Sequence, residues 1–486
     1  MNWIAVYPEI FLLVMACVVM LADVFVNDPE HRAAYGLSVL TLVVLVVMCA
    51  MFYLQGGREL AMQRMASYDP LANMLKMFTA LATLASLVYG QRYALDRGMW
   101  GGELFALALF ALLGQFVMIS ANNLLMIYLG LELMSLSLYA LVALRRDSSL
   151  ATEAAMKYFV LGALASGFLL YGMSLVYGAT GSLDLSVIYH TTGFEPLNRA
   201  VLVMGVVFLV AGVAFKFGAA PFHMWIPDVY QGAPTVVVLL VAAAPKLAAF
   251  AMAIRLLVLG LFPLAMDWQQ MVMLLAIASL VIGNLAAIAQ TNLKRMLAYS
   301  TIAQIGFVLL GLMSGMVNGN GMSSSQAYGA TIFYLLIYVL STLGTFGIVM
   351  FLAHEGFEAE ELSDFAGLGK THPWLAGIMS FLMFSLAGVP PFAGFYAKFV
   401  VLQSLLVTGR IWLVVLAVLL SVIGAFYYLR MVKIMYFDAP TREHKVRASG
   451  SAWALMSVNG LAVLALGIVP GSLMTLCYQA ITNTLR

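Results

Sequence analysis

Charge is what this sequence is short of. Only 9% of its 486 residues are Asp, Glu, Lys or Arg, where an ordinary soluble domain carries about a quarter. That excludes a soluble globular protein, whose surface needs more charge. Net charge is +2, with no basic stripe long enough to follow a phosphate backbone, so nucleic acid is excluded as a partner. Cysteine is nearly missing. Cys17, Cys49 and Cys477 lie far apart in apolar stretches, and no two have metal or iron–sulfur spacing. The chain is therefore expected to hold no iron–sulfur cluster of its own, and no disulfide. Gly369-Lys370-Thr371 carries the last letters of a phosphate-binding loop. The first glycine would fall at Asp364 and no strand precedes it, so nucleotide binding is excluded too. The first apolar run, Trp3 to Leu21, lacks the basic leader and small-residue cleavage site of a signal peptide. It reads as a membrane span.

What fills the chain is apolar sequence: 63% hydrophobic residues and a mean hydropathy of +0.99. A helix needs about 20 apolar residues to cross a bilayer. Fourteen such stretches follow one another from 3–22 to 452–476. The expected fold is an all-α integral membrane protein of about fourteen transmembrane helices, a single membrane domain over 1–486. The longest polar connection, Glu355 to His372, reads as a solvated loop or a contact for a neighbouring subunit. Lys and Arg concentrate in the odd-numbered connections, for example Arg145, Arg146, Lys294 and Arg295. By the positive-inside rule those face the cytoplasm and both termini face outward. Arg58 and Arg64 run against the trend.

Two short strings recur five spans apart. N-N-L-L from Asn122 pairs with T-N-L-K from Thr291, and A-P-F-H from Ala220 pairs with P-P-F-A from Pro390. Two five-helix repeats, 103–260 and 268–437, would produce this. An odd number of spans per repeat inverts the second relative to the first, as in secondary transporters. Spans 7 and 12 are also interrupted, at F-K-F-G-A-A-P-F-H (Phe215 to His223) and A-G-V-P-P-F-A-G-F-Y-A-K (Ala387 to Lys398). Proline removes a backbone donor, and freed backbone at membrane depth is tolerated only inside protein or beside a wet cavity.

Against this apolar background the few intramembrane charges stand out. Glu132 and Lys246 fall near the middle of spans 5 and 8. A charge there costs roughly 2.5–3.5 kcal/mol on insertion scales and lies too deep to snorkel, so both must face protein or water. Lys216 precedes the break in span 7 and Lys398 follows that in span 12. Lys157, about two turns into span 6, stands between a path role and snorkelling. Lys76 and Lys433 read as snorkelling. Buried lysines near a movable carboxylate suit proton transfer, since burial and charge shift proton affinity. Glu132 opposite Lys216 would make such a switch. His223, beyond the break, titrates near neutrality and serves either a path to one surface or a plain capping role.

Longer strings resemble a known family. P-F-H-M-W-I-P-D-V-Y-Q-G-A-P (Pro221 to Pro234), Q-T-N-L-K-R-M-L-A-Y-S-T-I-A-Q-I-G-F (Gln290 to Phe307) and G-V-P-P-F-A-G-F-Y-A-K-F (Gly388 to Phe399) are similar to stretches of the antiporter-like membrane subunits of respiratory complex I, the proton-pumping NADH-quinone oxidoreductase. P-D-V-Y-Q-G-A-P points to the N branch of that family rather than to M or L. The resemblance implies a proton path through Glu132, Lys216, Lys246, Lys398, Lys157 and His223, each matching a family position. It implies FMN, iron–sulfur clusters and quinone on partner subunits and none here. It also implies other membrane-arm subunits, M and K among them, as partners in the cell inner membrane. Pro245, directly before Lys246, departs from the family pattern, which has a small polar residue there. A subunit of a sodium/proton antiporter and a non-pumping structural subunit are the rival expectations.

Overall fold

The computed structural model describes residues 3–485, apart from 27, 29, 195–197, 317–320, 322–323 and 441. Spans 1–6 are Ile4–Phe25, Arg32–Gln55, Pro70–Leu95, Gly102–Ser120, Leu124–Val142 and Ser149–Thr180. Span 7 begins as Arg199–Phe217, and spans 8–11 are Thr235–Gly260, Phe262–Ile288, Leu293–Ser314 and Ser324–Leu352. Span 12 consists of two shorter helices, Pro373–Ala387 and Ala393–Val407, and spans 13 and 14 are Ile411–Phe437 and Gly450–Ile468. Counting the broken span 12 once, the described residues give the expected fourteen. Two boundaries differ from expectation. A separate helix, Gly471–Leu485, follows span 14, and a short helix, Leu185–Phe194, fills the connection before span 7. A two-stranded hairpin, Glu59–Ala61 with Ala66–Tyr68, joins spans 2 and 3.

The spans differ sharply in burial. The most apolar stretch of span 8 is 100% buried and those of spans 10 and 11 are 94% buried, against 28–33% for spans 1, 2, 13 and 14. Spans 8, 10 and 11 therefore form the core, and the outer spans offer apolar surface to lipid or to neighbours. Helices pack closest where small residues let backbones meet. A Cβ on Gly114 would lie 2.3 Å from the Met134 backbone nitrogen of span 5, and one on Gly283 would lie 2.5 Å from that of Ala303 in span 10.

The two asparagines of the recurring strings do the same local work. Asn123 caps span 5 by accepting from the Leu125 N–H at 2.9 Å, and Asn292 caps span 10 by accepting from the Arg295 N–H at 3.0 Å. Such caps satisfy one of the first orphan donors of a helix. Each sits in an isolated antiparallel bridge to the segment after the following span, Asn123 to Asp184 and Asn292 to Glu361.

Three spans are interrupted. The first part of span 7 ends at Phe217 on Gly218 (φ +77°), and that of span 12 ends at Ala387 on Gly388 (φ +87°). In both, the glycine N–H turns back to the fourth-preceding carbonyl, Ala214 or Phe384, the usual αL stop. A short helix, Trp225–Gly232, resumes after the first break. Span 8 breaks too. Its helix stops at Ala242 and restarts at Ala244 with Pro245 in the first turn, because proline has no N–H for the preceding turn. The departure at Pro245 thus bends the backbone one turn before Lys246. The same span ends in a π-helical stretch, Ile254–Gly260.

Two expectations about charges are corrected. Lys76 does not snorkel: it is 1% exposed, and its ammonium is 2.5 Å from Glu9 Oε1 of span 1. The segment from Glu355 to His372 is not simply solvated. Glu358 pairs with Arg97 at 2.6 Å, Glu360 with Lys294 at 3.1 Å and Asp364 with Arg442 at 3.3 Å. Lys433 does lie at the surface, paired with Asp438.

Candidate functional site

The breaks expose carbonyls at membrane depth, and lysines meet them. The last carbonyls of a helix have no partner within it and carry its negative dipole end. At the end of span 7's first half, Lys246 Nζ donates to the carbonyls of Lys216 at 3.3 Å and Phe217 at 3.0 Å, and Trp225 Nε1 donates to that of Phe215 at 3.0 Å. At the end of span 12's first half, Lys398 Nζ donates to the carbonyls of Leu386 at 3.0 Å and Ala387 at 2.9 Å, and to Ser421 Oγ at 2.9 Å. The two lysines do the same job from different places: Lys246 reaches in from span 8, Lys398 from the second half of span 12 itself.

Lys216 occupies the last turn before the first break. Its ammonium donates to Ser135 Oγ of span 5 at 2.8 Å. Ser135 lies three residues after Glu132 and so shares its helix face. Glu132 is the carboxylate that acts electrostatically on Lys216, and its Oε1 is buried with no hydrogen-bond partner. Tyr139, two turns on, places its ring 5.9 Å from the Lys216 ammonium. From there Tyr158 stands edge-on to Tyr139 and stacks on Trp225, centroids 4.5 Å apart in each case. The Lys246 ammonium lies 5.1 Å from the Trp225 ring. Glu132, Lys216 and Lys246 therefore form one cluster around the first break.

Between the two breaks runs a set of polar side chains that the sequence reading missed. On span 10, Gln304 Nε2 donates to the Leu386 carbonyl at 3.0 Å, the oxygen that Lys398 also binds, and to Tyr428 Oη at 2.9 Å. Tyr334 donates to Gln304 Oε1, and Ser300 bonds Tyr428. Tyr338 donates to Thr301 at 3.0 Å. A void of about 10 Å³ beside Gln304, Tyr334 and Lys398 is near the size that holds a single water. The signal was present as Ser300, Thr301 and Gln304, at one-turn spacing on a buried span, with Tyr334 and Tyr338 four apart on its neighbour. Hydroxyls and amides carry no net charge, so a search for intramembrane charge passes over them.

The remaining expected residues lie elsewhere. Lys157 is half-exposed and bridges Glu153 and Asp228, at 2.8 Å each, while Asp228 also pairs with Arg295 at 2.9 Å. It belongs to a charged cavity of about 300 Å³ that also takes in Arg145, Lys294 and Glu360, not to the buried file. His223 sits in the break, half-buried, with Nδ1 unpartnered and its carbonyl accepting from the Ile226 N–H. Among the described residues, no group of three or more His, Cys, Asp or Glu is placed to hold a metal ion.

Residues 121–424 match the family described as NADH:quinone oxidoreductase/Mrp antiporter, TM. The chain belongs to that family. It is 57% identical over 489 residues to NADH-quinone oxidoreductase subunit N of Polaromonas naphthalenivorans, covering 99% of this chain and 98% of the relative. It is equally identical to the protein of that name in Herminiimonas arsenicoxydans, covering 100% and 99%. A chain of the Thermus thermophilus respiratory complex I with bound aureothin superposes with a TM-score of 0.80 at 32% identity, over 96% of this chain and 98% of that one. A chain of the Mrp complex from Dietzia sp. DQ12-45-1b superposes at 0.86 with 19% identity, over 99% and 98%, a likeness of fold alone. The family match spans both breaks and every lysine of the buried file.

Proposed function

We propose that the chain is a membrane-arm subunit of NADH-quinone oxidoreductase that translocates protons while electrons pass from NADH to quinone on other subunits. The observation that carries this is the file of buried lysines. Lys216, Lys246 and Lys398 lie at two helix breaks, with Gln304 and its tyrosines between. Lysines held by carbonyl dipoles and hydroxyls, with one carboxylate nearby, can gain or lose a proton when that carboxylate's charge or position changes. In this reading Glu132 modulates Lys216, and protons pass by way of Lys246 and the Gln304 region to Lys398. Lys157 and its cavity supply the entry from one surface, and His223 opens the break toward solvent. FMN, iron–sulfur clusters and quinone reside on partner subunits.

The two five-helix units, 103–260 and 268–437, are proposed as inverted repeats. Support comes from the matched asparagine caps, the matched bridges and the two glycine-ended breaks with a lysine on each. The proposed place is the cell inner membrane, termini outward, with subunits M and K among the neighbours. Glu132 sits between Leu129 and Leu136, each about half exposed at 51% and 52%. A midplane carboxylate on such a stripe favours a protein neighbour over lipid. The sodium/proton antiporter reading shares the fold, but the near-full-length identity lies with subunit N proteins. Purification of the tagged chain from membranes tests the assignment: recovery with NADH-oxidising activity supports it, and recovery with a sodium-dependent antiporter free of that activity overturns it.

A further inference from the structure

A second buried pair lies outside the residues that match the family, and the proposed path does not use it. Glu9 is one turn into span 1, Lys76 six residues into span 3, about 9 Å along its axis, and Ser120 closes span 4. All three therefore lie toward the same face of the membrane. The Lys76 ammonium lies 2.5 Å from Glu9 Oε1 and the Ser120 hydroxyl donates to the same oxygen at 2.9 Å. The Phe116 ring is 5.7 Å from the ammonium, and among the described residues the titratable Cys49 of span 2 also lies beside the pair. Lys76 is close enough to a helix end to reach the interface, yet it turns inward to 1% exposure.

The pair is incompletely satisfied. Glu9 Oε2 is buried with no hydrogen-bond partner, and so are Asn73 Nδ2, one turn before Lys76, and Gln115 Oε1, next to Phe116 on span 4. A carboxylate accepts at both oxygens, and buried polar atoms are ordinarily paired. The unmet carboxylate oxygen of Glu9 suits a bound water, which takes two to four polar partners.

The pair also sits on a polar row. Asp69, Asn73, Lys76, Thr79, Thr83 and Ser86 follow at spacings of three and four, which puts them on one side of span 3, and none is more than 2% exposed. At one end Asp69 meets Arg255 of span 8 at 2.5 Å. Toward the other, Tyr93 lies in the wall of the charged cavity near Lys157. Span 3 runs antiparallel to span 8, Gly90 beside Val236 and Asp69 beside Arg255, so the row passes the level of Lys246.

We propose that Glu9 and Lys76 form a second proton-loading site, reached along the polar face of span 3 and separate from the lysine file. A proton arriving through water adds to the Glu9 carboxylate and gives a neutral acid beside the ammonium. Its departure restores the ion pair, with no other bond made or broken. The site would hold a proton during turnover and so bias the charge beside span 8. This rests on the proton-moving role proposed above.

The test uses sealed membranes holding the assembled complex, with Glu9→Gln, Lys76→Met and the double variant. Glu9→Gln is isosteric and can keep the Ser120 contact, and the double variant leaves no buried charge. Protons moved per NADH oxidised are measured, along with the carboxylic-acid band that appears in infrared difference spectra on NADH addition. The expected result is a lower ratio in Glu9→Gln and in the double variant, with loss of a deuterium-sensitive carboxyl band present in the unaltered complex. An unchanged ratio with an unchanged spectrum overturns the proposal and leaves the pair a structural tie between spans 1, 3 and 4. So does a fall in thermal stability with the ratio and spectrum intact. Lys216→Ala, measured alongside, separates the two readings: if it also leaves the ratio unchanged, the proton-moving role itself has failed.

Discussion

At the scale of single residues, the chemistry rests on where ammonium groups find oxygen. Lys398 binds two helix-end carbonyls and a serine hydroxyl. Lys398→Ala leaves the Ala387 carbonyl and Ser421 without that donor, while Leu386 keeps its bond from Gln304. Hydrogen bonds to a charged group contribute about 1.5–3 kcal/mol each, so the variant should lower the melting temperature of the purified complex and also reduce proton translocation. Gln304 offers a cleaner dissection. Gln304→Leu keeps the volume, removes the donor to Leu386 and Tyr428, and leaves Lys398 in place. Its expected effect is a fall in protons moved per NADH at near-normal assembly, read by proton uptake in vesicles beside a native gel. Residue-scale reading of the sequence singled out Glu132, Lys216, Lys246 and Lys398 as candidates, because charge inside an apolar span is conspicuous. It misjudged Lys76, whose partner Glu9 is 67 positions away, and it passed over Gln304 and the tyrosines. Neither kind of contact has a local signature.

At the scale of elements, the breaks position the site. The proline-bearing strings at Ala220 and Pro390 marked two of the three interruptions in advance, since the missing N–H is a property of the residue itself. How each broken end is closed was not legible, because the closing lysine comes from a different helix in each half. Gly388 tests the geometry. Its φ of +87° is in the glycine region, and a Cβ there would lie 2.9 Å from Lys398 Cδ. An L-residue pays roughly 1–2 kcal/mol for that conformation. Gly388→Ala should therefore strain the end of the helix and displace Lys398 together, lowering both stability and pumping. Gly377→Ala on the same helix, with nothing within 4 Å of its Cβ, should change neither. The connection after span 13 is tied down by His444, whose ring bonds the Thr371 hydroxyl and the Asp364 carbonyl. Burial is the main cause holding His444 below the ordinary imidazole value, with His372 and Arg442 adding to it. The fold thus favours its neutral form. The contact is at full strength above about pH 6.5, the unperturbed value, and weakens as pH falls below it. Protease cleavage between residues 438 and 449 should increase from about pH 7.5 to about pH 5.5, and His444→Gln should flatten that dependence.

At the scale of the whole molecule, composition alone placed the chain in a membrane, and the number of apolar stretches matched the number of spans. Which spans form the centre was not readable from hydropathy, because spans 1, 2 and 13 are as apolar as spans 8 and 11. Burial follows from packing partners, and those come from all parts of the chain. The central spans 8, 10 and 11 carry Lys246, Gln304, Tyr334 and Tyr338, so the most protected helices also hold buried polar side chains. Their hydrogen bonds offset the cost of burying them, and the family match and the lysine file together support protons as what the subunit moves. The most direct measurement is the number of protons translocated per NADH oxidised by sealed vesicles containing the complex with Lys246→Met, a change of similar length that removes only the ammonium. The account predicts a clear fall in that ratio with the complex assembled and the chain in place. An unchanged ratio in that assembled variant would contradict it.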